Sequence, residues 1–312
     1  MKPLSKRSWI LLLSLMLSLA FTAPAWNQDA PTTGTEAEDD SESLPPAEPP
    51  PPLDARNRTK LARELPKLRN SNLARRMETE EKIITFGRGA LPLLLEETST
   101  DHPGKADGLV RCLAELVDVR DRDLVEAALE SEQIVAQRFG ARAAGKLCLP
   151  YLTQQLKPLL SHETDAVKDE AALSLVRCGE PVGLPHLALR WGDEIEEKIT
   201  EALPGVRGKG NHSSLIDLLK IDPIRNKEEP EAAAMERLGA VEMLGRIGDP
   251  AAVKALVKAL DDSHNRVQKT AINHLRHILE GSPAFEGAIF QQLREVTRLK
   301  EMARSGTYGS DR

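Results

Sequence analysis

Between Leu238 and Ile272, apolar and polar residues fall in blocks that read as the end of one helix, a tight turn, a second helix, a polar turn and the start of a third. In the middle block Val253, Leu256, Val257 and Leu260 follow the i, i+3, i+4, i+7 spacing that lays one apolar stripe along a helix. The turn before them, Gly248-Asp249-Pro250, joins a residue suited to a left-handed helix cap to one whose missing N–H is harmless in a first helical turn. Such a unit cannot bury its stripe alone and needs neighbours stacked on it.

Degenerate copies supply those neighbours. Pro150, Pro181 and Pro250 follow Cys148-Leu149, Gly179-Glu180 and Gly248-Asp249. Four residues before each Pro stands a base (Lys146, Arg177, Arg246), and three before stand Leu147, Cys178 and Ile247. Ten before stand the small residues Gly140, Ala171 and Ala240; six after stand Leu156, Leu187 and Leu256. The first interval is 31 residues and the next 69, which is two repeats plus an insertion expected around Asp222–Lys227. Pro92, Pro158 and Pro185 lie near the beginnings of first helices, where Pro is sterically tolerated.

This unit resembles the HEAT repeat, especially the variety found in phycobilisome-lyase proteins, which often carries a Pro at the same place. The resemblance implies an all-α fold, an α-solenoid of stacked helical hairpins (a HEAT-like or ARM-type superhelix) with about six or seven repeats. It implies no shared catalytic residue. The spacing predicts an N-terminal cap near Arg56–Arg69 and a helix from Leu73 to Phe86. Pairs follow near Ala90–Val119, Asp121–Leu147, Tyr151–Cys178, Val182–Leu203, Ser213–Ile247 and Ala251–Leu279. A last helix, Ala284–Arg304, is expected to carry Phe285, Ile289, Leu293 and Val296 on one side and to hide the end of the stack. The solenoid would span 56–304, with a frayed tail over 305–312.

Composition agrees: 40% of the 312 residues are hydrophobic but only 3% aromatic, a balance that suits close-packed helices better than sheets. Residues 1–25 are set apart. Lys2, Lys6 and Arg7 precede the apolar run WILLLSLMLSLAF, and Ala23-Pro24-Ala25 offers a small-x-small cleavage site, the three parts of a secretory signal peptide. The other reading is an uncleaved membrane anchor, for which the apolar run is short. Export, periplasmic or secreted, is therefore expected, with no stable membrane insertion after cleavage. Residues 26–55 are acidic and Pro-rich with few aliphatics, the composition of a disordered, extended spacer.

The charge is uneven. Residues 27–54 hold eight acids and no base, and the leader holds three bases; removing both from the totals of 48 acids and 42 bases leaves 40 and 39. The folded part is thus nearly neutral, unlike a nucleic-acid binder, and Trp191 is its only Trp.

Candidate chemistry is thin. Gly205–Gly210 lacks the GxxxxGK[ST] pattern and a preceding strand, so it reads as an expanded inter-repeat loop. His274 and His277 share a helical face, but no HExxH or CxxC accompanies them, and they read as solvent-facing; His102, His162 and His264 fall in turns. An odd count leaves at least one of Cys112, Cys148 and Cys178 free; a 148–178 bridge would need facing side chains, and all three read as small buried hydrophobes. No catalytic, cofactor-binding or metal-binding residue is expected.

The basic ladder Lys146, Arg177 and Arg246 has two readings. It stabilises helix ends through the dipole, or it lines one edge of the solenoid as a protein-binding row. One candidate for its acidic partner is the chain's own linker, Glu36 to Glu48. The expected function is a non-enzymatic exported scaffold gripping a protein or peptide, with no nucleic acid involved. A lyase-type enzyme or enzyme accessory is the alternative that the resemblance allows, and an envelope spacer without a saturable partner is a third.

Overall fold

Helix ends coincide with the punctuation in the sequence. A computed structural model describes residues 44–208, 212–220 and 228–305, with 289 and 290 in backbone only. Among the described residues there are fifteen α-helices and no strand. They are α1 (Ala55–Glu64), α2 (Leu73–Ile84), α3 (Leu91–Glu96), α4 (Pro103–Leu116), α5 (Arg122–Leu129), α6 (Ile134–Leu147), α7 (Pro150–Leu156) and α8 (Asp165–Arg177). The series continues with α9 (Leu184–Leu189), α10 (Glu196–Ala202), α11 (Ser213–Leu218), α12 (Pro230–Ile247), α13 (Pro250–Ala259), α14 (Asn265–Glu280) and α15 (Ile289–Ser305). Consecutive helices pair as hairpins, giving the stacked α-solenoid read from the repeat spacing.

The aligned turns share one backbone geometry. Gly179 and Gly248, each two residues before the repeat's Pro, have φ of 86° and 65°; Cys148, at the same register, has φ 48°. Pro150 and Pro250 then open α7 and α13 in the first turn. Asp249 also caps α13, its side chain accepting from the Ala252 N–H at 2.9 Å. His102 and His264 occupy N-cap positions before α4 and α14, and His162 lies in the turn before α8.

Second helices of successive pairs carry the stack. Each of α4, α6 and α8 packs on the second helix before it, α10 continues on α8, and α12 packs against α9, α11 and α14. Helix α8 is buried on both sides. Ala171 and Leu175 join an N-terminal core with Leu109, Phe139 and Leu156, while Ala172, Leu173 and Val176 join a C-terminal core with Leu187, Leu244 and Leu256. Apolar residues on two sides of one helix are what a position between two layers requires, and the charged side chains of α8 lie on its remaining surface or pair with its neighbours.

Small residues permit the close crossings. The three at the minus-ten register, Gly140, Ala171 and Ala240, are all buried, and a Cβ on Gly140 would sit 2.8 Å from the Leu129 N. Next to Ala240, a Cβ on Gly239 would collide with the Ala188 carbonyl oxygen and lie 3.0 Å from Trp191 Cβ. The α9–α12 crossing would have to open. Gly239→Ala should therefore lower stability by about 1–3 kcal/mol, as overpacking typically does, checked by urea unfolding; a neutral result would show that this crossing yields freely.

The last helix differs from the expectation. It starts at Ile289, and residues 284–288 are not helical; Gly281 (φ 65°) ends α14, and Pro283 follows. Phe285 is held there by its N–H donating to Asn273 Oδ1 at 2.8 Å and by Arg276 over its ring at 5.9 Å. Val296 is buried as expected and Leu299 joins it, whereas Leu293 is 62% exposed and lies off the buried stripe.

Residues 44–54 run without helix or strand and are fastened to the N-terminal pairs by one backbone and two arginine side-chain hydrogen bonds. The Glu48 N–H donates to the Arg120 carbonyl (3.0 Å), Arg88 Nη2 to the Glu48 carbonyl (3.0 Å) and Arg122 Nη1 to the Pro45 carbonyl (2.6 Å). Leu53 packs against the N-terminal core. The leader, the linker up to Ser43, Lys209–Asn211, the expected insertion at 222–227 and the tail beyond Ser305 lie outside the described residues.

Candidate functional site: a groove on the second helices

An open groove of about 790 Å³ crosses four stacked helices, and every residue lining it belongs to a second helix. Helix α2 contributes Leu73, Met77, Glu80, Glu81 and Ile84; α4 contributes Arg111, Ala114 and Glu115. The other side is formed by Arg142, Gly145 and Lys146 of α6 and by Arg177 of α8. Leu73 and Met77 are exposed by 55% and 51%, unusual for large apolar side chains on neighbouring turns of one helix.

Charged rungs join the stacked helices. Arg111 forks onto Glu80, with Nη2–Oε1 2.5 Å and Nε–Oε2 2.7 Å, and Arg138 reaches Asp107 at 2.8 Å. Both pairs are 31 residues apart, the interval between Pro150 and Pro181. The Glu80 hydrogen bonds hold the Arg111 pKa above its ordinary value against a smaller opposing effect of burial. Arg142 is more loosely paired, 3.8 Å from Glu170.

The basic ladder divides. Lys146 and Arg177 both line the groove, but Lys146 Nζ is occupied, donating to the carbonyls of Ala114 (3.0 Å), Glu115 (2.7 Å) and Val117 (3.1 Å). It caps the α4 C-terminus of the preceding pair, as a cation near unsatisfied carbonyls should. Arg246 lies outside the groove, stacked on Trp191 at 4.9 Å and near Glu196 at 4.0 Å. The described end of the linker touches none of the three; Glu48 is 3.8 Å from Arg120. Like Lys146, Arg177 has no carboxylate in ion-pair contact among the described residues, and unlike Lys146 it has no carbonyl acceptors among them either. Burial, and then the neighbouring Arg142, push its pKa below the ordinary arginine value, only partly offset by Glu170 and Glu201.

The cysteine expectation is overturned for two of the three. Cys148 and Cys178 form a disulfide with Cα atoms 5.2 Å apart, and Cys148 is exposed. Helix axes are too far apart for such a bridge, but the left-handed turn at Cys148 lies beyond the helix end, where the chains approach. Cys112 is free and buried as expected, and burial pushes its thiol up to about 12, which leaves it inert as a nucleophile.

The histidine reading also changes. His277 is exposed, but His274 is half-buried and pairs with Glu242 Oε2 at 3.0 Å, its ring lying over Gly245. The glycine loop is structural where described. Asp249 Oδ2 accepts from the Gly208 N–H (3.3 Å) and pairs with buried His212 Nε2 (2.7 Å), and Arg207 donates to the carbonyls of Ile247 (2.8 Å) and Arg246 (3.1 Å). Burial raises the Asp249 pKa, but the donors Ala252, His212 and Gly208 outweigh it and the net shift is downward. Among the described residues no group of three metal-ligating side chains occurs, and no helix is long and apolar enough to cross a membrane.

Residues 228–308 match the family described as HEAT repeats. This C-terminal stretch is similar to HEAT repeats. That match covers the C-terminal pairs and includes Leu238–Ile272, where the repeat is clearest in the sequence. No curated protein matches the chain. Among solved structures, human deoxyhypusine hydroxylase in complex with glycerol aligns with 79% of this chain and 96% of its own at 16% identity, TM-score 0.32. An engineered protein aligns with 79% of this chain and 97% of its own, also at 16% identity, TM-score 0.22. No activity is carried over from either. The stacked helical pairs of the N-terminal part position the groove, by aligning their second helices side by side.

Proposed function

We propose that this HEAT-repeat chain is an exported, non-enzymatic scaffold that grips a protein segment along the groove of its second helices. The observation that carries this reading is the groove's lining: all of it comes from second helices, with two large apolar side chains left open beside charged rungs. Solenoids present such continuous surfaces to partners. Export is supported by the basic, apolar and small-x-small parts of residues 1–25, and a 148–178 bridge suits an oxidising compartment.

A photo-crosslinking amino acid at Met77, in cells making the full chain, tests the binding role. Reproducible protein adducts at Met77 and few at Val182, exposed outside the groove, are expected. Equal labelling at both positions, or none at Met77, would remove the groove from consideration. N-terminal sequencing of the mature protein tests export; a start after Ala25 is expected, and an intact Met1 in the cytoplasmic fraction would refute it.

A further inference from the structure

We infer that the groove takes an acidic, apolar segment of a partner protein, with its aliphatic side chains over Leu73 and Met77 and a carboxylate at Arg142 and Arg177. This rests on the binding reading above and specifies the partner's chemistry. The four cations of the groove are in different states. Arg111 is satisfied by Glu80, and Lys146 by three carbonyls. Arg142 holds Glu170 only at 3.8 Å, and Arg177 holds no carboxylate among the described residues. Arg142 and Arg177 line the same side of the groove and are only partly offset by Glu170 and Glu201, and a further carboxylate supplies both charge and acceptors in the fork geometry arginine favours.

The polarity of the groove fixes which end of the ligand goes where. Glu81 and Glu115 are exposed on α2 and α4, so an incoming carboxylate is repelled there and drawn towards α6 and α8. Leu73 and Met77 on α2 instead offer apolar contact. A phosphodiester chain would satisfy the arginines but gain nothing from those side chains and would meet both free acids. A segment combining Leu, Ile, Phe or Met with Asp or Glu matches both ends.

The test is selection of a phage-displayed library of random linear peptides on the full chain. Enriched peptides should pair aliphatic or aromatic residues with acids. Arg142→Glu/Arg177→Glu should weaken the selected peptides roughly tenfold or more, in line with losing a desolvated charge contact, and should itself select Lys or Arg. Met77→Asp should weaken them while leaving the helical circular dichroism unchanged; Arg177→Gln serves as the milder variant if charge reversal unfolds the chain. Enrichment of basic or uncharged peptides, or selection insensitive to these variants, would overturn the inference and leave the binding reading standing. Displacement of the acidic peptides by a single-stranded RNA oligomer would overturn it in favour of a phosphodiester ligand. No enrichment on the wild-type chain would sink both readings.

Discussion

Replacing Asp262 by Ala should cost about 3–5 kcal/mol of stability, the range for breaking a buried ion pair by removing one partner. Arg237 on α12 is 3% exposed and Asp262, in the turn between α13 and α14, 9%. Arg237 Nε meets Asp262 Oδ2 at 2.7 Å and Nη2 meets Oδ1 at 3.3 Å, while Asp262 Oδ1 also accepts from the His264 N–H at 2.8 Å. Removing the carboxylate takes two hydrogen bonds from a buried guanidinium and the acceptor from the turn before α14. The pair ties three helices of the best-preserved repeat together, so the damage should spread across α12–α14. Urea unfolding checks the magnitude, and hydrogen exchange should show α14 losing protection first. The double variant Arg237→Met/Asp262→Leu should recover part of the loss, since an apolar pair removes both buried charges together. A single variant within about 1 kcal/mol of wild type would show that this pair is worth no more than an exposed one.

The contrast between Asp262 and Cys148 shows what repeat spacing reveals and what it hides. Spacing located the pairs because helix length, cap and Pro recur together: Gly248 takes the left-handed cap, Pro250 opens α13, and Leu156, Leu187 and Leu256 are buried at one register. It also placed Lys146 and Arg177 on one surface, since a shared register in stacked hairpins means a shared edge. Arg246 shares that register yet leaves the row, because Trp191 offers its ring. Leu73 and Met77 escaped notice since apolar periodicity says which residues lie together, not whether a neighbour covers them. A search for opposite charges 31 residues apart would have found Glu80–Arg111 and Asp107–Arg138, and with them the groove. Buried His212 and Asp249 are 37 residues apart across a weak stretch of the pattern, and no spacing signal joins them.

Removing the 148–178 disulfide should cost about 2–4 kcal/mol, because its thirty-residue loop loses a constraint on the unfolded chain. For a domain of this size that corresponds to a fall in Tm of roughly 5–15 °C. The size of the effect should depend on what replaces Cys148. Its φ of 48° is the left-handed region that Gly179 and Gly248 occupy at the same register, where a Cβ costs roughly 1–2 kcal/mol. Without the bridge that cost opposes folding with nothing to offset it. Cys148→Gly/Cys178→Ser should therefore be more stable than Cys148→Ser/Cys178→Ser by about 1 kcal/mol, the Gly relieving what the Ser cannot, less its own added freedom in the unfolded chain. Thermal unfolding with and without reductant measures both differences. Thiol titration of the denatured, unreduced chain should find only Cys112, and all three cysteines after reduction; three reactive thiols before reduction would show the bridge is not formed. Lys146 lies two residues before Cys148 and Arg177 directly before Cys178, so the disulfide also ties together the α6 and α8 ends that border the groove. Peptides selected on the oxidised chain should accordingly bind the Ser/Ser variant more weakly even at temperatures where it remains folded. Unchanged binding there would confine the bridge to stability and leave the groove to be held by packing of α6 on α8 alone.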